Sequence, residues 1–270
     1  MIRFYSTCIF LCAPFFISAQ ENIADSLFQA GDHLHARVAY ERLLFQGSRD
    51  VNRLLLKKTY CLKAEGRYDD AYQTLQRADF FQGSDSLRFK LYYEVALNAY
   101  LAGKYDLSLN KIQELNYYLP KANQPVVDLL EILSLNQQHK LNDAEKKLEE
   151  FLVKYNLRDE QKIYRNKKLK NPEKAESMSH LLPGVGQMYA GYGGQGATSM
   201  LLQTGFVAFA AFSFLNGYYF SGAFTGVGLF YIFNNGGARH ARYLAEKRND
   251  KMIAQLNADV KKIMMKALKK

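Results

Sequence analysis

Gly191-Tyr192-Gly193-Gly194-Gln195-Gly196 spells the GxGxxG of a dinucleotide-binding turn, and residues 191–198 nearly complete a phosphate-binding P-loop. Either motif would hold phosphate on backbone N–H groups at a helix N-terminus. Neither follows a strand-like run, and Ala197 stands where a P-loop places its lysine. Without the strand–helix setting and the cation, phosphate binding is unsupported. The five histidines (33, 35, 139, 180 and 240) are dispersed, with no HExxH and no Ser-His-Asp context. The carboxylate pairs Asp69-Asp70 and Glu149-Glu150 fall on amphipathic helical stretches, where solvated charge is expected. Cys61 lies in an apolar-periodic helix, as a small buried residue would. No nucleophile, base and orienting group come within one pattern. The sequence therefore predicts no catalytic residues, no metal ligands, no cofactor and no enzyme.

A second spacing concerns backbone geometry. Pro183, Gly184, Gly186, Gln187, Tyr189, Gly191 and Gly196 form the string Pro-Gly-x-Gly-Gln-x-Tyr-x-Gly, four residues, then Gly. Pro183 would end a short helix and the glycines would permit a sharp turn. Gln187 and Tyr189 could then bond the backbone groups so freed. The string opens a stretch, residues 177–238, that holds no Asp, Glu, Lys or Arg. Lipid gives the simplest reason for that absence, because charge at the bilayer centre is costly. Within it, helices are predicted over about 197–215 and 218–233, joined by a two-residue turn at Asn216-Gly217. Gly205 and Ala208 on the first helix, with Gly222 and Gly226 (a GxxxG) on the second, are the expected helix-packing positions. Tyr218, Tyr219 and Tyr231 sit near the ends, where aromatic belts form. This module resembles a small bacterial two-helix membrane domain of unknown function that is appended to exported proteins. The resemblance covers about the last third of the chain and implies a membrane helical hairpin.

The elements upstream repeat. Turns at Gly31, Gly66, Gly103 and His139 are 35, 37 and 36 residues apart, and a small residue follows five places on: Ala36, Ala71, Ser108, Ala144. A constant period with two helices per unit is the mark of a helical solenoid. Gly66, Tyr68, Ala71, Leu75 and Ala78, then Gly103, Tyr105, Ser108, Ile112 and Leu115, resemble the tetratricopeptide repeat (TPR). The fourth unit is degenerate, with His139 in the glycine position. The resemblance implies an all-α, TPR-like solenoid over residues 21–160 whose inner face binds a protein or peptide. It places Arg53, Tyr60, Lys63, Lys90, Tyr93 and Tyr100 on that face, a set suited to an extended acidic or aromatic peptide. Packing between repeats is the competing role for the tyrosines. The Asn of repeats that clamp a chaperone's C-terminal carboxylate is missing at the matching positions.

The chain ends complete the organisation. Arg3, the apolar run from Phe4 to Ile17 and the exit Ser18-Ala19-Gln20 have the anatomy of a signal peptide over residues 1–20. Cys8 and Cys12 would leave with it. A basic linker, 161–176, precedes the uncharged module, and 239–270 reads as a basic amphipathic helix with Ile253, Leu256, Val260 and Ile263 on one face. Residues 21–160 carry net −2 and residues 161–270 net +11. Basic groups abutting an apolar hairpin suit anionic lipid surfaces and not nucleic acid. Export would place the repeats in the periplasm of a bacterial envelope, and both basic flanks with them, against the positive-inside tendency. The expected function is a membrane-tethered, non-enzymatic scaffold or adaptor, with membrane lipids and a groove-bound peptide as partners. Oligomerisation would run through the hairpin or the last helix. The alternative makes the membrane module the active part, in lipid handling or small-molecule passage, with the repeats as a docking domain.

Overall fold

The computed structural model describes residues 20–48, 50–120, 124–157 and 162–268. The signal-peptide segment, with Cys8 and Cys12, lies outside them. The fold is all-α, and among the described residues there is no strand. The chain forms two compact units, Met1–Asp159 with Val260–Lys270, and Glu160–Asp259.

In the first unit, α1 (residues 20–29), α2 (His33–Phe45), α3 (Val51–Ala64) and α4 (Tyr68–Leu75) are followed by α5 (Asp85–Leu101), α6 (Tyr105–Tyr118), α7 (Pro125–Gln137) and α8 (Leu141–Lys154). From α2 to α8 each helix packs on the next, and α5 also lies against α3 and α7. Within each pair one turn geometry recurs. The N–H groups of Asp32, Arg67, Lys104 and Lys140 each donate to the carbonyl five residues earlier (3.0, 2.9, 2.8 and 3.0 Å). That closure places the preceding residue in the left-handed region: Gly31, Gly66 and Gly103 at φ 80°, 72° and 76°, and His139 at 64°. Glycine accepts this conformation freely, whereas a residue with Cβ is destabilised by about 1–2 kcal/mol. His139→Gly should therefore raise the unfolding free energy by about 1 kcal/mol. Denaturant melts of the detergent-solubilised chain read the change, and an unchanged midpoint would contradict it.

Ala36, Ala71, Ser108 and Ala144 are all fully buried where paired helices meet. Ser108, the polar member, is satisfied there by Ser134 Oγ, which donates to Ser108 Oγ at 3.2 Å. Three apolar clusters follow one another: Tyr40, Leu43 and Leu54 with Cys61, then Leu55, Leu75 and Leu91, then Tyr92, Ile112 and Leu115. Burial pushes the Cys61 thiol up to about 11, leaving it inert.

The second unit contains α9 (Pro172–Leu181), α10 (Val185–Tyr189), α11 (Gly193–Leu215), a short α12 (Tyr219–Ser221), a π-helical stretch (Gly222–Gly228) and the part of α13 (Leu229–Leu268) up to Asp259. Asn171 caps α9 by accepting from Lys174 N (2.7 Å), and Pro172 occupies its first turn. Helix therefore begins inside the segment read as linker. α11 starts before residue 197, because the small residues from Gly193 on already wind into its first turn. The second predicted helix does not stop at 233, nor is 239–270 a separate helix. One helix runs through Asn234-Asn235-Gly236-Gly237 to Leu268, and the two units divide it at Val260.

Candidate functional site

The seven motif residues gather where α9, α10 and the start of α11 meet α13. Gly186 N donates to Ser179 Oγ (3.0 Å), Ser179 Oγ donates to Gln187 Oε1 (2.9 Å), and Gln187 Nε2 donates to the Gly237 carbonyl (2.9 Å). Ser179 and Gln187 are 1% and 2% exposed, so this three-link chain is shielded from bulk solvent. The glycines are there because backbone occupies the space of their side chains. A Cβ on Gly186 would overlap the Ala175 carbonyl oxygen. One on Gly184 would strike the Gly196 carbonyl, and one on Gly196 the Gly184 carbonyl. Gly184 and Gly191 also have positive φ, 89° and 91°. At Gly191 the Arg248 guanidinium fills the Cβ position, and its Nη1 donates to the Ala190 carbonyl (3.1 Å).

Tyr189 is half-buried against the Ala175, Ala190, Ala241 and Leu244 cluster: its hydroxyl accepts from Asn171 N (3.2 Å), while Lys170 and Lys174 place Nζ 4.6 and 5.7 Å from its ring centre. Pro183 is half-buried at the turn. Asn249 clamps both backbone groups of Lys170 (2.9 and 2.7 Å). The knot brings together no nucleophile and base. Its chemistry is hydrogen-bonded positioning of helices. Ser179, Gly237, Arg248 and Asn249 are the members sequence reasoning missed. All are separated from their partners by 7 to 79 positions.

Beyond the turn at Asn216-Gly217 the chain packs back on α11. Gly226 lies against Ala210 and Gly222 against the Phe214 ring. Gly205 and Ala208 are not at this contact: both are exposed, and a Cβ on Gly205 would meet nothing within 4 Å. The reason is the helix face used: Gln203, Ala210 and Ser213 are the buried residues, which leaves Gly205 and Ala208 on the opposite, outward side. Leu201, Val207, Phe212, Phe220, Phe224, Tyr231 and Ile232 are exposed on the same pair of segments.

The six candidate groove residues lie on α3 and α5. Tyr60, Tyr93 and Tyr100 are half-buried, and burial raises all three phenol pKa values. The cations are mostly spoken for within the unit. Arg53 pairs with Glu21 (3.4 Å), Lys63 with Glu94 (2.7 Å), and neighbouring Lys57 with Glu21 and Asp25 (2.7 and 2.6 Å). Burial pushes the Asp25 carboxyl up, but hydrogen bonds from Lys57 and Tyr40 outweigh it and hold the group below its usual range. Lys90 is exposed and has no ion-pair partner among the described residues. Glu21, Asp25 and Glu94 are thus the acidic groups missing from the sequence reading, and they remove most of the face's expected positive charge. A pocket of about 270 Å³ lined by Phe28, Tyr40, Lys57 and Tyr60 opens beside them.

No group of three or more His, Cys, Asp or Glu side chains able to hold a metal occurs among the described residues. No family model, curated protein or solved structure matches the chain significantly.

Proposed function

We infer that the chain is a non-enzymatic cell-envelope adaptor. In this reading, residues 21–160 are an exported array of four TPR-like repeats that holds a protein or peptide segment, and the uncharged module anchors it as a helical hairpin in a bacterial membrane. One observation carries the tether. α11 is long and apolar enough to cross a bilayer, yet only 17% of its apolar window is buried. A core helix of a water-soluble domain passes the same length test by being mostly covered. At about 1.5 Å per residue, a helix of this length spans about 34 Å, enough for the hydrocarbon. The exposed Phe, Leu and Tyr side chains on both segments would then meet lipid and not water.

The repeat reading is supported by four like turns, four buried small residues at the helix contacts, and helices packed in chain order. The pairing of Arg53, Lys57 and Lys63 favours an extended peptide read by aromatic faces over one read by acidic charge. A pull-down from envelope extracts with the 21–160 fragment tests this. Tyr60→Ala with Tyr93→Ala should reduce capture of a specific partner about tenfold, a loss of about 1.4 kcal/mol. Recovery of the same partner at unchanged yield would exclude the groove.

A further inference from the structure

A groove of about 760 Å³ runs between α11 and the opening turns of α13. Its two walls change character together. On α11, Gln195, Thr198 and Ser199 precede Leu202, at the spacing that places all four on one helix face. On α13 the order reverses, from Ile232 and Phe233 to His240. The segments are antiparallel, and the register is set at Gly237, whose Cβ position lies 3.4 Å from both Ser199 Oγ and Gln203 Nε2. Leu202 therefore lies within about one helix turn of Phe233, and Gln195 within about one turn of His240. The groove is apolar toward the Asn216-Gly217 turn and polar at the other end, over about 10 Å of helix rise. Among the described residues, no Asp, Glu, Lys or Arg lines it.

We propose that this groove holds one bilayer phospholipid. A zwitterionic headgroup sits at Gln195, Ser199 and His240, and an acyl chain lies along Leu202, Ile232 and Phe233. The inference rests on the membrane reading above, which puts the polar end at headgroup depth. Three observations select this occupant. The change from polar to apolar follows the long axis of an amphiphile entering a leaflet. The lining offers hydrogen bonds without fixed charge, so a headgroup with net charge would be left without its counter-charge. Ser199 Oγ accepts from Gln203 Nε2 (3.0 Å) and keeps its own proton to donate.

The glycines make the room. Gly236 lies inside α13, where a glycine loosens a helix, and a Cβ there would meet nothing within 4 Å. Its missing side chain serves no protein contact; it leaves the groove open. Gly205 is equally unobstructed but lies outside the groove.

Native mass spectrometry of the full chain released from nanodiscs of equal phosphatidylethanolamine and phosphatidylglycerol tests the site. Wild type should retain one phosphatidylethanolamine per chain. Gly236→Leu, which fills the groove from an open position, should lower that retention about tenfold, and Gly236→Ala should lower it less. Gly205→Leu should match wild type. Equal retention in all four proteins, or preferential retention of phosphatidylglycerol, would overturn the proposal. Carbonate resistance of the same proteins in membranes reads insertion separately. An inserted chain that holds no lipid sinks the lipid site alone, whereas a carbonate-extracted chain sinks the anchor as well.

Discussion

Val207→Arg should release the chain from membranes. Val207 lies near the middle of Gly193–Leu215 and is 51% exposed. If that surface faces hydrocarbon, an arginine at the helix centre costs about 2.5–3.5 kcal/mol of insertion free energy. The ratio of inserted to released chain would fall about a hundredfold, because each 1.4 kcal/mol is a factor of ten. If the surface faces water, the substitution removes an exposed apolar group and should alter stability by less than about 0.5 kcal/mol while improving solubility. The two readings thus predict opposite outcomes for one variant. Carbonate extraction of membranes, followed by sedimentation of the released protein, separates them. A variant that stays carbonate-resistant at wild-type levels would remove the bilayer reading of α11. Ala197→Arg is the internal comparison: it is exposed in the first turns of α11 and outside the groove, where an arginine can reach the interface and should be tolerated.

The parts of the fold that could be read from residue order are those set by local chemistry. Glycine recurs wherever a left-handed closure ends a helix, so Gly31, Gly66 and Gly103 mark the helix pairs. His139 was identifiable as the same turn only through the period, since its own preference points elsewhere. What could not be read depends on distant partners. α4 ends at Leu75 because the loop after it is held from α3: Asn52 Nδ2 donates to the carbonyls of Asp79 (2.7 Å) and Gln82 (3.2 Å), and Asn52 Oδ1 accepts from Asp79 N (2.9 Å). Nothing in residues 76–84 announces that tie. Asn234-Asn235-Gly236-Gly237 similarly has the composition of a break. The helix continues through it, with Gln187 on the Gly237 carbonyl. The basic groove residues were assigned by register without the carboxylates of α1 and Glu94 that neutralise them. The motif glycines were legible as a turn, and their role as contact points between helices was not.

That contact role yields the largest stability effect. Gly186→Val should disrupt the second unit by about 3 kcal/mol or more, at or beyond the upper range for overpacking. The added Cβ would overlap the Ala175 carbonyl and crowd Ser179 Oγ, so relief requires α9 to move away from α10. Backbone can yield only by shifting the helix, unlike the flexible end of a side chain. Moving α9 also withdraws Ser179 from Gly186 N and Gln187 Oε1, leaving a buried N–H and a buried amide oxygen unpaired. Steric and polar penalties therefore fall on the same site. Gln187→Leu separates them: it keeps similar bulk but strands Ser179 Oγ and the Gly237 carbonyl contact, and should cost about 2 kcal/mol. Gly193→Ala is the control, because a Cβ there meets nothing within 4 Å, and should be neutral or slightly stabilising. Circular-dichroism melts in detergent, with protease protection of Arg248 as a local probe, read all three. If Gly186→Val and Gly193→Ala melt alike, the glycine string is a flexible turn and α9, α10 and α13 are not locked through it.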